Sequence, residues 1–258
     1  MNKNKELYQQ QVIKVCAQVG KILVASGAEI PRVEQTVEYI GKSANVDISC
    51  YVTLSAVFID SGDGMASHFV KVQLKGFNLQ KVDEINHLSR SFQEGSITFT
   101  QLAKQVEIIS EQVIDFPKRY KVLGAGLVSV TPMMVFTATW VDLALAFFIG
   151  MIGYSTLHTI ERRTTVPYIK EALSSFIIAT LASIVTLVGL GQSSSSIILC
   201  ALMPLVPGLS ITNSLREIIS RHTISGMMRA VDAVLTAGAI GSGVILATSL
   251  TNQLLGGV

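Results

Sequence analysis

Leu202-Met203-Pro204-Leu205-Val206-Pro207-Gly208-Leu209-Ser210-Ile211-Thr212-Asn213 decides the reading of this chain, because it lies within 44 consecutive residues, Ala172–Leu215, that carry no charge. A helix rising ~1.5 Å per residue crosses the ~30 Å hydrocarbon layer of a bilayer in roughly 20 residues. The run therefore holds two membrane spans, divided by Gly189-Leu190-Gly191-Gln192 and the serine tract 193–196. On its N-terminal side, Val122–Val141 and Leu143–Ile160 are uncharged stretches of 20 and 18 residues, and on its C-terminal side Ala233 opens a last one. The expected architecture is an integral membrane α-helical protein with five transmembrane helices, at about 120–141, 143–160, 172–190, 196–215 and 233–255, behind an N-terminal α+β cytoplasmic domain, residues 1–117.

Composition agrees. Of 258 residues, 49% are hydrophobic and 15% charged, and mean hydropathy is +0.50, whereas soluble domains carry about 25% charge. Residues 1–121 hold 14 of the 20 Lys and Arg and 13 of the 18 Asp and Glu, so the two halves suit different solvents. The first half has no basic run interleaved with aromatics, which excludes a nucleic-acid partner. Cys16, Cys50 and Cys200 are too scattered for a zinc site or a disulfide framework. Behind the charged start Met1-Asn2-Lys3-Asn4-Lys5 there is no apolar stretch, so no cleaved secretory signal is expected.

Orientation follows from the loops. Lys118, Arg119 and Lys121 precede the first span, Arg162, Arg163 and Lys170 lie between the second and third, and Arg216, Arg221 and Arg229 lie between the fourth and fifth. The remaining connections have no Lys or Arg. Positive loops stay on the cytoplasmic side, which places residues 1–117 inside and Val258 outside a bacterial cytoplasmic membrane.

Within residues 1–117, Tyr8, Val12, Val15, Val19 and Ile22 form one stripe of a helix ending at Gly27. A second helix starts at Pro31 and buries Val33, Val37, Ile40 and Ala44, with Glu34 near its positive end. From Val46 to Phe58 apolar residues alternate, predicting one half-buried strand, and Val70, Val72 and Leu74 predict its partner across the turn Asp60-Ser61-Gly62-Asp63-Gly64. Turn chemistry accounts for Asp60 and Asp63 without a bound cation. Asn78 caps a third helix, and Thr98 with Gln101 makes a capping box for a fourth that runs through Leu102, Val106, Ile109 and Val113.

Chemistry concentrates in the fourth span. Pro204 and Pro207 cannot donate backbone hydrogen bonds, and Gly208 lets the chain leave helical geometry, so the helix should break within the membrane. Interrupted helices there mark transport sites, because their backbone groups must meet a cavity or partners. The half-helix after Gly208 points its positive end at a carboxylate, with Ser210, Thr212 and Asn213 as further contacts. Pro204, Pro207, Gly208, Ser210, Thr212 and Asn213 are the candidate substrate site. Candidates for coupling or gating are Asp142, read as a solvated carboxylate in an outer turn beside Trp140, Asp232, expected to pair with Arg229 or Arg216, and Arg216 itself. Gly238, Gly241 and Gly243 predict close helix packing, and His158 and His222 stand isolated at span ends. Gly41-Lys42-Ser43 ends like a phosphate loop, but Thr36 occupies its first glycine position. No nucleophile and base are paired, so neither an enzyme, a metal nor a cofactor is expected.

Gly27-Ala28-Glu29, Arg32-Val33-Glu34 and Thr36 after the first helix, the hairpin, Asn78-Leu79, and Pro207-Gly208 in a late span resemble the threonine/serine exporter family, and within it the longer, headed chain of the two-chain succinate exporters. The resemblance implies export of small carboxylate metabolites by about ten spans, so five spans imply a small multi-span membrane subunit as partner. A homo-oligomer would be the other source of cover. It also implies an Arg in the second strand, where this chain has Lys71, a point charge in place of a planar fork. The rival reading is a membrane-tethered metabolite sensor or scaffold, for which a Pro-x-x-Pro-Gly break has no use.

Overall fold

The computed structural model describes residues 3–62, 67–74, 76–112, 116–133 and 139–255. They form two compact units: Met1–Asp115 with Thr212–Arg229, and Phe116–Ile211 with Ala230–Val258. Each is described on its own.

The first unit is an α+β module of helices α1 (Lys3–Ala25), α2 (Ile30–Ser43), α3 (Leu79–Gln93) and α4 (Phe99–Glu111) around an antiparallel sheet in the order β1 (Ile48–Val52), β2 (Ala56–Ser61), β3 (Ser67–Lys71). Val12, Val19, Leu23, Val33, Val37, Ile40, Ile59, Ile85, Leu102 and Val106 share its core. Gly27, at φ +83°, ends α1, since an L side chain is strained there and a Cβ would strike Phe77. Asn78 accepts from Lys81 N at 3.1 Å at the head of α3, and both halves of the Thr98–Gln101 capping box are present. Val113, Asp63 and Gly64 fall outside the described residues.

The sheet differs from the expectation. Val46–Phe58 is not one strand: the chain turns at Thr53-Leu54-Ser55, where Thr53 N donates to Ala56 O at 2.8 Å and Thr53 Oγ1 accepts from Ala56 N at 3.1 Å. The turn shifts the inward parity, so Val57 and Ile59 enter the core while Phe58 faces out between Tyr51 and Phe69. Alternation continued through the turn because Leu54 is itself buried.

The second unit is helical: α5 (Lys118–Met133), α6 (Trp140–Glu161), α7 (Ile169–Leu187) and α8 (Ser194–Ala201), followed by a 3-10 turn at Met203–Leu205. Two further helices, α9 (Gly208–Ile219) and α10 (Thr223–Leu255), run from one unit into the other. Ala146, Ile149, Ile178, Ala182, Ile197, Leu202 and Ala247 form the unit's buried centre. Small residues allow close approach: a Cβ on Gly153 would strike Ile178, and one on Gly243 would strike the Ala172 carbonyl and Ser175. Gly238 and Gly241 have open space.

Among the described residues, α6, α7 and α10 are long and apolar enough to cross a bilayer, and α8 with α9 makes a fourth span if the bent pair counts as one. In the first expected span, 120–141, α5 is described to Met133, with Pro132 in its last turn, residues 134–138 lie outside the described residues, and α6 has already begun at Trp140. The last span is longer than expected, because α10 starts at Thr223 and carries Arg229 and Asp232 within it.

Candidate functional site

The fourth expected span is broken. α8 with its 3-10 turn, Ser194–Leu205, and α9 meet at a bend of 63°. The residue that leaves helical geometry is Val206, at φ −64° and ψ 129°, and not Gly208. The cause is Pro207, whose ring clashes with α-helical backbone at the preceding residue. Pro204 sits within the 3-10 turn, where its missing N–H costs little. Gly208 begins α9 without a positive φ, and a Cβ there would touch nothing within 4 Å. Ile211 N donates to Pro207 O at 3.1 Å. Of the polar residues that follow, Ser210 and Asn213 are buried and Thr212 is exposed.

Thr212–Arg229 belongs to the first unit, and a polar cluster shows why. Asn213 Nδ2 donates to Gly27 O at 3.3 Å. Arg229 Nε donates to Glu217 Oε1 at 2.9 Å, and its Nη2 donates to Ala28 O at 2.9 Å. Ile30 N completes the ring by donating to Glu217 Oε1 at 3.3 Å. Glu217 is 0% and Arg229 4% exposed, so this ion pair is desolvated and depends on its hydrogen bonds. At its rim Arg216 pairs with Glu29, and His222 Nε2 lies 2.8 Å from Glu34 Oε2, whose other oxygen accepts from Val52 N at 2.9 Å.

Local sequence builds this cluster. α9 ends in a Schellman turn, with His222 N to Glu217 O at 2.9 Å, Arg221 N to Ile218 O at 3.1 Å, and Arg221 left-handed at φ +66°. Gly226 lets α10 fold back against Ser214 and Ile218. Glu217 and Arg229, twelve residues apart, are thereby brought face to face against the backbone that Gly27 exposes. Sequence reasoning missed Glu217 and offered Arg229 only as a partner for Asp232. Their signal was present: an acid and a base within the charged stretch between the fourth and fifth apolar runs, and the Gly27-Ala28-Glu29 motif whose backbone they meet.

The three coupling candidates divide between the units, Arg216 in the first and Asp142 and Asp232 in the second. Arg216 serves Glu29, as above. Asp142 is not a solvated turn residue: it is 2% exposed, caps α6 through Thr139, and accepts from Gln192 N at 3.0 Å. A buried carboxylate at a helix N-terminus is held by such donors. Asp232, expected to pair with Arg229 or Arg216, accepts from Tyr168 OH at 3.0 Å within the second unit. His158 lies 3.7 Å from Glu161, and His222 is engaged by Glu34, so neither is isolated.

In the first unit, burial pushes the Cys16 thiol up to about 12. Cys50 is raised by burial and then by Glu34 and Glu38. Neither thiol suits nucleophilic chemistry.

Helices long and apolar enough to cross a bilayer, in a chain that also carries a small α+β unit, define the class as a multi-pass membrane protein. Residues 14–251 match the family model described as "Putative threonine/serine exporter", and the chain belongs to the threonine/serine exporter family. It is 22% identical over 94% of its length to proteins named "Probable succinate transporter subunit YjjP" from Klebsiella aerogenes and Escherichia coli, covering 95% of each. It is also 22% identical over 94% of its length to a "Threonine/serine exporter" of Corynebacterium glutamicum, of which it covers 52%. No solved structure matches it.

Proposed function

We propose that this chain is the headed subunit of a secondary exporter in a bacterial cytoplasmic membrane, moving a small carboxylate metabolite outward together with a second membrane subunit. The observation that carries the reading is the interruption of the fourth span at Val206-Pro207 within a chain of this family. Pro204 and Pro207 break the helix, and the positive start of α9 with Ser210, Thr212 and Asn213 receives the carboxylate. Asn213 acts there while its amide nitrogen holds the Gly27 carbonyl.

Succinate, threonine and serine are the substrates to test, because the relatives' names specify them. A partner is supported by the word subunit in the names of the two relatives matched end to end, and by the coverage of only half of the longer exporter. Five spans with residues 1–117 inside and the C-terminus outside satisfy the nine-to-none loop charge bias. Efflux of labelled succinate, threonine and serine is compared in cells with this chain and its partner, with either alone, and with Pro207→Ala. Efflux of one substrate should need both chains and should fail in Pro207→Ala with membrane insertion intact. Equal efflux of all three without this chain refutes the reading.

A further inference from the structure

The sheet of the first unit buries one face. Cys50, Val57 and Ile59 enter the core, and Val70 packs against it. On the opposite face the strand register sets Tyr51, Phe58 and Phe69 side by side across β1, β2 and β3. Ring centroids are 6.3 Å apart for Tyr51 and Phe58 and 5.0 Å apart for Phe58 and Phe69. The three side chains are nevertheless 54%, 44% and 58% exposed. The outer face of a half-buried antiparallel sheet is ordinarily polar, so a contiguous aromatic row there marks an interaction surface.

Charge is ordered about this row. Asp60 lies two residues from Phe58 toward one end of the strands, and Lys71 lies two residues from Phe69 toward the other. Both are exposed. Asp47, exposed beside Gly62, extends the acidic end. Asp60 is opposite Ser67, and Lys71 is four residues further along β3. That separation is roughly 13 Å at about 3.4 Å per residue, too far for an ion pair within one chain.

We propose that this face is a contact between two copies of the chain. A two-fold axis laid along the aromatic row, between two sheets about 10 Å apart, sets row against row and exchanges the acidic and basic ends. Asp60 of each copy then meets Lys71 of the other, one strand over, so the face is complementary to itself in charge. An anionic membrane surface fits it less well, because that surface would repel Asp47 and Asp60. Three half-exposed rings, each with 150–250 Å² to bury in full, supply about 300 Å² per copy. A standard interface takes about 800 Å² per partner. The contact is therefore weak between free molecules and forms when both chains are held in one membrane, where confinement raises their effective concentration.

The test uses the full chain, half of it isotopically heavy, in liposomes of phosphatidylcholine and phosphatidylserine. A zero-length carbodiimide joins a carboxylate to an amine at contact, and peptide mass mapping locates the link. Asp60 should be joined to Lys71, with light and heavy peptides in the same link. Chains bearing Asp60→Lys alone or Lys71→Glu alone should give no link between these positions. Mixed in one membrane, the two variants regenerate two complementary pairs, and the link should return to within about twofold of the parent level. Phe69→Ser, which leaves both charges in place, should lower linking several-fold. Absence of the link in the parent, links confined to peptides of one isotope, or no recovery in the mixture overturns the proposal. Lys71 joined to the carboxylate of phosphatidylserine instead overturns it in favour of the membrane surface. Native membranes treated in parallel test a different protein as occupant: Lys71 joined there to another polypeptide, with no link between copies, also overturns it.

Discussion

Removing Arg229 should unlock the loop at Gly27–Ile30. The guanidinium supplies two hydrogen bonds, to Glu217 Oε1 and to Ala28 O, and Glu217 in turn accepts from the Ile30 amide. In Arg229→Met the buried carboxylate keeps its place with only that amide to face. Breaking a buried pair from one side costs about 3–5 kcal/mol, because the remaining charge is left without compensation. Local opening at about 1.4 kcal/mol per decade should then speed exchange of the Ile30 amide by roughly 100- to 4000-fold. The double change Glu217→Leu with Arg229→Met removes both charges and should restore much of the protection, since an apolar pair of similar volume is often neutral. Hydrogen exchange of the full chain in nanodiscs, resolved at the 26–33 peptide, measures this. If each single variant exchanges within about threefold of the parent, or the two effects add in the double variant, the pair does not hold this loop and the reasoning fails.

Two further outcomes follow from burial and backbone geometry. Cys16, raised from 9.0 to about 12, favours folding fully below pH 9 and progressively less as pH rises from 9 to 12, because the unfolded thiol ionises first. Maleimide should therefore spare it at neutral pH and modify it only on unfolding, a comparison read by mass spectrometry. Gly208→Ala should leave membrane insertion and thermal stability unchanged, since its Cβ meets nothing, whereas Gly243→Val should lower thermal stability by separating α7 from α10.

Much of the fold was legible because single-helix physics writes itself along the chain. Hydrophobic runs long enough for a bilayer, the Thr98–Gln101 box, the Asn78 cap and the missing donors of Pro204 and Pro207 each depend on residues within one turn or two. Where the local signal was ambiguous the reading slipped. The turn at Thr53–Ser55 hid inside an alternation that Leu54 continued, and the departure from helical geometry assigned to Gly208 falls at Val206, before Pro207.

What the sequence by itself determined is which segments are apolar enough for lipid, where loops carry positive charge, and that one span cannot wind continuously; these are sums over neighbouring residues. Tertiary structure alone decided the company that the charged residues keep. Glu217 and Arg229 meet the carbonyl and amide of a loop nearly two hundred residues earlier, Asp142 turns inward to hold Gln192, and Asp232 finds Tyr168. Desolvated polar groups take whichever partner the packing brings within about 3 Å, and no spacing along the chain encodes that distance.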